Sequence, residues 1–118
     1  MSDNKSVGAK GEQFAAEYLK DKGYEILEMN WVAERCEVDI IAKYNSVIIF
    51  VEVKTRTNDF YGNPEEAVNE AKQENLMKVA DAYLIENDLD NEIRFDIISI
   101  IWNKNRKDIY HIEDAIVP

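Results

Sequence analysis

Apolar residues return along this chain with two different periods, and each period marks an element. Between Gly8 and Lys22, Phe14, Ala15, Tyr18 and Leu19 recur at helical spacing, and Gly23 follows as a helix terminator. Residues 24–34 carry Ile26, Leu27, Met29 and Trp31 and read as a first strand. Two further apolar runs, Glu37-Val38-Asp39-Ile40-Ile41 and Phe50-Val51-Glu52-Val53-Lys54, flank Tyr44-Asn45-Ser46-Val47, which reads as a hairpin turn. Asn58 to Pro64 is rich in turn formers, and Pro64-Glu65-Glu66 opens a helix with Asn63 as its cap. Leu76, Val79, Ala80, Tyr83 and Leu84 form a core-facing stripe reaching Asn87. That stretch fits one helix, or a short one followed by a long one from about Asn69. Ile93 to Trp102 is another strand, Asn103 to Asp108 a polar turn, and Ile109 to Ile112 a last strand. The order α-β-β-β-α-β-β predicts an α/β fold with a mixed central sheet of about five strands flanked by helices.

Polar residues break the apolar pattern at one place in each hairpin strand. Strand side chains alternate faces, so Glu52 and Lys54 point one way while Val51 and Val53 point the other. If the turn is symmetric about Asn45 and Ser46, Asp39 lies opposite Glu52, Glu37 lies opposite Lys54, and all four share a face. A bulge would shift this register by one residue. Opposed Cβ atoms stand about 4.5–5.5 Å apart, and two carboxylates at that spacing repel. A divalent cation between Asp39 and Glu52 removes the conflict, and oxygen donors suit Mg²⁺ or Mn²⁺ rather than zinc. Lys54 would then orient a water or stabilise charge on a phosphoryl group. The competing reading is an exposed strand face with a surface ion pair, which is worth little. For Glu37, a cross-strand ion pair orienting Lys54 stands beside metal ligation.

Composition narrows the class. A chain of 118 residues is read as a single domain over 1–118, with a flexible start at residues 1–6. No apolar run approaches a membrane span and no signal-peptide core is present, so the expected location is the cytoplasm. The lone Cys36 and lone His111 exclude a disulfide framework and argue against structural zinc. The net charge of −10 is unusual for a nucleic-acid binder, which draws affinity from phosphate contacts. Acids cluster at Glu65, Glu66, Glu70 and Glu74 and again from Glu86 to Glu92, leaving Lys54, Arg56, Lys72, Lys104, Arg106 and Lys107 to gather elsewhere.

Several motifs together resemble the UPF0102, or YraN-type, proteins. They are Gly8-Ala9-Lys10-Gly11-Glu12, Gly23-Tyr24, Asn30, Glu37-Val38-Asp39-Ile40-Ile41, Phe50 through Arg56, Phe60-Tyr61-Gly62-Asn63-Pro64, Lys72-Gln73 and Arg94-Phe95-Asp96. The resemblance spans about Gly8 to Ile100. It extends to the restriction-endonuclease-like superfamily and in particular to archaeal Holliday-junction resolvases. It implies a PD-(D/E)XK-type site in which Asp39, Glu52 and Lys54 are catalytic, with Asp39, Glu52 and Glu12 around Mg²⁺ or Mn²⁺. Lys72-Gln73 matches a helix position where some related nucleases place a supporting polar residue. Cys36 stands where many relatives have glycine, which alters the turn into the second strand. The implied activity is metal-dependent DNA phosphodiester hydrolysis on branched or damaged substrates, with a homodimer as the symmetric form. The alternative is a catalytically silent nucleic-acid-binding or assembly module on the same scaffold.

The remaining candidates divide more evenly. Glu12 is also explained as an acid favoured near a helix N-terminus. Arg56, Lys72 and Gln73 either contact phosphates or are solvated, and the balance leans to the site for Arg56 and Lys72. Arg94 and Asp96 are expected to form a structural pair, and His111 to sit at the surface or in packing. Trp31 and Trp102 read as core anchors, and Phe60 and Tyr61 as the better base-stacking candidates.

Overall fold

The computed structural model describes residues 7–57 and 70–116, and among these described residues seven elements follow in the expected order. Helix α1 spans Val7–Asp21, followed by strands β1 (Glu25–Ala33), β2 (Cys36–Tyr44) and β3 (Val47–Arg56). Helix α2 (Glu70–Glu86) precedes β4 (Ile93–Trp102) and β5 (Lys107–Ile112). The strands lie in the order β1-β2-β3-β4-β5, antiparallel except for the parallel pair β3 and β4. That parallel pair needs a crossover, which α2 supplies. The loop assigned to residues 58–64, its Phe60 and Tyr61, and the Asn63 cap lie outside the described residues.

The helix ends follow from local chemistry. Gly23, at φ 94°, closes α1: Tyr24 N–H reaches the Leu19 carbonyl at 2.9 Å and Gly23 N–H the Lys20 carbonyl at 2.9 Å. This paired pattern uses orphan carbonyls and buries Tyr24 with Leu19. Helix α2 ends the same way, with Asp88 at φ 52° and Leu89 N–H 2.9 Å from the Leu84 carbonyl. The hairpin turn places Asn45 at φ 50° and Ser46 at φ 71°, the left-handed pair that matches strand twist in a two-residue loop. Tyr44 therefore opposes Val47 and Ile40 opposes Val51, the register expected from the sequence.

Each helix covers one face of the sheet. On the α2 face, Leu76, Val79 and Tyr83 pack against Ile48, Phe50 and Phe95. On the α1 face, Ala15 and Leu19 pack against Ile49, Val51 and Ile98. Strand β3 is therefore buried on both sides from Ile48 to Val53, which explains its nearly continuous apolar run. Helix α1 approaches β3 closely because residue 11 is glycine: a Cβ there would stand 1.9 Å from Thr55 Oγ1. The two charged residues within this buried region, Glu52 and Asp96, belong to opposite faces and to different environments.

Candidate metal and phosphoryl-transfer site

The site forms where β2 and β3 part. Their backbone ladder runs from the turn to Ile40 and Val51. Beyond it, Asp39 Oδ2 accepts the Val53 N–H at 2.8 Å, so a side chain takes the place of the next strand bond. Side-chain alternation also slips here. Val38 and Ile41 both pack on the α2 face, whereas Ile40 packs on the α1 face. On the neighbouring strand, Asn30 between Met29 and Trp31 has φ 50°, a left-handed conformation that asparagine tolerates. Simple alternation across β2 therefore does not extend through Asp39, and the local kink is the physical reason.

Despite the slip, Glu37, Asp39 and Glu52 line one cavity of about 230 Å³, together with Arg35, Cys36, Lys72, Asn75 and Leu76. Glu52 is 5 % exposed, and its Oε2 lies 2.7 Å from Lys72 Nζ. Its Oε1 is buried with no hydrogen-bond partner among the described residues. A carboxylate oxygen left unpaired is costly, so this one is an acceptor open to a water or a cation. Burial pushes the Asp39 carboxyl up to about 7, with the Glu52 and Glu12 charges adding to the rise and the Val53 N–H and Lys72 opposing it. Lys72 is raised above the ordinary lysine value, first by its bond to Glu52 and then, against burial, by the charges of Glu52, Asp39 and Glu37.

The other sequence candidates take different places. Lys54 is exposed, does not line this cavity, and makes no ion pair among the described residues. Glu37 accordingly faces the Lys72 field rather than pairing with Lys54. Glu12 stands on α1, where Asn30 Nδ2 donates to its Oε1 at 2.9 Å, and its charge reaches Asp39. Arg56 and Gln73 are half-buried and each is engaged with a neighbour. Asn30 and Asn75 were not picked out as site residues by the sequence pattern. Only a positive φ opposite Asp39 marks the first, and only its place one residue before the buried Leu76 on α2 marks the second.

Among the described residues, no three carboxylates, imidazoles or thiols stand close enough to hold an ion between them. Asp39 and Glu52 nonetheless fit a hard cation by another criterion. Mg²⁺ keeps several waters and asks for one or two carboxylates, and the orphaned Glu52 Oε1 is such a donor.

The uncharacterised protein family UPF0102 matches residues 11–100 of this sequence. The chain belongs to the UPF0102 family. A UPF0102 protein of Christiangramia forsetii is 47 % identical over 115 residues, covering 98 % of this chain and 97 % of the relative. One from Phocaeicola vulgatus is 43 % identical over 118 residues, covering 100 % and 98 %. One from Alkaliphilus oremlandii is 45 % identical over 115 residues, covering 95 % and 98 %. The matched segment contains Glu12, Asn30, Asp39, Glu52, Lys54 and Lys72. No helix among the described residues is long and apolar enough to cross a membrane.

Proposed function

We propose that this UPF0102 protein is a divalent-cation-dependent phosphodiesterase acting on DNA, with branched or damaged duplexes as substrates. The observation that carries this reading is the buried, unpartnered Glu52 Oε1 in the same cavity as Asp39. These two acids share the charge of one ammonium, Lys72, and a Mg²⁺ or Mn²⁺ ion would supply the rest. When bound, such an ion polarises a phosphoryl oxygen and lowers the pKa of its water. Asp39 and Glu52 are the residues that would hold it. Glu12, fixed by Asn30, adds negative field from the α1 side. Lys72 balances charge at Glu52, while Lys54 and Arg56 lie farther along β3 and are the residues this reading assigns to phosphate contact. Two copies of the chain would present two such sites to the two strands of a branched substrate. A cytoplasmic location, consistent with the single cysteine, belongs to this proposal.

The test is a panel of linear, flapped and four-way DNA incubated with Mg²⁺, Mn²⁺ or chelator. Wild type should cleave at least one substrate with metal only. Asp39→Asn and Glu52→Gln should each lower the rate by 10³-fold or more, on the order of 4 kcal/mol of barrier. Equal cleavage by all three proteins would identify a contaminant and end the proposal.

Two observations favour a second reading. Lys72 already neutralises Glu52 without any metal, and the chain carries a net charge of −10. A catalytically silent nucleic-acid-binding or assembly module would have both properties. DNA binding without cleavage under every metal would select it.

A further inference from the structure

We propose that Lys72 is the resident counter-cation of the acidic cavity, and that a divalent ion binds there only by working against its ammonium group. This inference rests on the metal reading given above and assigns a regulating residue to that same site. Three observations converge on it. Lys72 Nζ makes a 2.7 Å ion pair with Glu52 Oε2, and the charges of Asp39 and Glu37 also act on it. It therefore serves three acids from one position at the start of α2. Glu52 keeps a second oxygen buried and unpartnered, so one ammonium does not satisfy the carboxylate. Finally, the two partners differ in exposure: the Lys72 side chain is 42 % exposed and that of Glu52 only 6 %.

That last difference gives the direction of movement. Glu52 is fixed in the double-sided core of β3 and cannot follow its partner outward. Lys72 sits on a flexible four-carbon stem, and its side chain is partly in solvent. A divalent ion brought to Glu52 repels the ammonium at close range, where the dielectric is low. The lysine is the group that yields. In the absence of metal the same lysine keeps the cavity folded, because a buried carboxylate left with no cation is strongly unfavourable. Lys54, the lysine that sequence reasoning assigns to the acids, does not line the cavity and cannot take this part.

The experiment is calorimetric titration of Mn²⁺ into wild type, Lys72→Met, Lys72→Arg and Glu52→Gln, with thermal unfolding of each protein with and without the metal. The Lys72→Met protein should bind Mn²⁺ tenfold more tightly or better. Its metal-free melting temperature should fall and its gain on adding Mn²⁺ should exceed that of wild type. The Lys72→Arg protein, which keeps the charge, should bind as weakly as wild type, separating charge from packing. Should Lys72→Met fail to fold, Lys72→Gln serves the same purpose with a polar head. Equal or weaker Mn²⁺ binding after neutralising Lys72 overturns the proposal while leaving the metal reading intact, provided Glu52→Gln abolishes binding. Absence of binding in every protein, Lys72→Met included, removes the metal reading and this proposal together.

Discussion

Two buried acids on opposite faces of the same sheet have opposite fates. Asp96, with no solvent exposure, sits on the α1 face and has every lone pair directed at a partner. Its Oδ1 takes Arg94 Nε at 2.8 Å and the Asp114 N–H at 3.0 Å, and its Oδ2 takes Arg94 Nη2 at 2.8 Å and His111 Nε2 at 2.7 Å. The partners are themselves fixed: Arg94 reaches Tyr24 Oη at 2.8 Å and His111 Nδ1 lies 3.2 Å from Tyr18 Oη. Burial pushes Asp96 up, but the Arg94 fork, His111 and the Asp114 N–H outweigh it and hold the carboxyl below its ordinary value. Glu52, almost as buried, keeps an oxygen with no partner, and Asp39 in the same cavity is driven the other way, to about 7. A closed network of this kind fastens α1 and β5 to the sheet. An open one keeps an acceptor available, and that is the contrast on which the proposed metal site rests.

The largest test of the contrast is Asp96→Ala. It leaves the Arg94 guanidinium, 21 % exposed, beside an uncompensated hole and unfastens His111. The expected loss is about 3–5 kcal/mol, read from urea unfolding. The sign with pH follows from the lowered carboxyl. Its stabilisation is complete above the unfolded carboxylate pKa and disappears as pH falls below about 4. Wild type should therefore lose stability on acidification by this route, and Asp96→Ala should lack that component. A tolerant Asp96→Ala would show that satisfaction of hydrogen bonds does not separate scaffold from site in this protein.

How much of this was legible in the sequence divides along the same line. Periodicity located every described element, and Ile93–Trp102 coincides with β4 residue for residue. The hairpin register was readable because Asn45 and Ser46 accept positive φ and a two-residue turn leaves no freedom. The acids of the cavity were readable because Asp39 and Glu52 interrupt apolar runs. Lys72 was legible only as a supporting residue through the resemblance: strand alternation points to Lys54 as the lysine beside the acids, and only the docking of α2 brings Lys72 to Glu52. The Asp96 network was half seen. Arg94 and Asp96 are two residues apart and read as a pair. His111 joins them from β5 across 15 residues of sequence, and a lone histidine on a short strand carries no local sign of a buried partner.

A smaller effect of opposite sign is expected at Asp39. An acid raised in the folded state favours folding when protonated, and that advantage is lost as pH rises from about 4 through about 7. The Asp39→Asn protein keeps an oxygen for the Val53 N–H but has no charge to bury beside Glu52 and Glu12. It should be more stable than wild type by on the order of 2 kcal/mol at pH 8, and close to wild type at pH 5. Urea unfolding at the two pH values reads the difference. A destabilised Asp39→Asn at pH 8 would mean that Asp39 belongs with Asp96 as a structural acid.

The finest distinction between the two regions is the response of metal binding to pH. Asp39 faces Glu52 on β3, Glu37 on its own strand, Glu12 on α1 and Lys72 on α2. With its carboxyl at about 7, a cation that uses Asp39 must first displace a proton. The apparent Mn²⁺ affinity should then rise by about fivefold between pH 6 and pH 7, reach about tenfold by pH 8 and flatten above it. Calorimetry in buffers of different ionisation enthalpy should register up to one proton released per ion at pH 6. Asp96, already ionised and closed off, contributes nothing to this profile. Its acid-side effect on folding lies several pH units lower, so the two carboxyls can be read separately in one protein. A flat affinity from pH 6 to pH 8 would remove Asp39 from the ion's ligands and leave Glu52 as the buried acid with an oxygen to offer among the described residues.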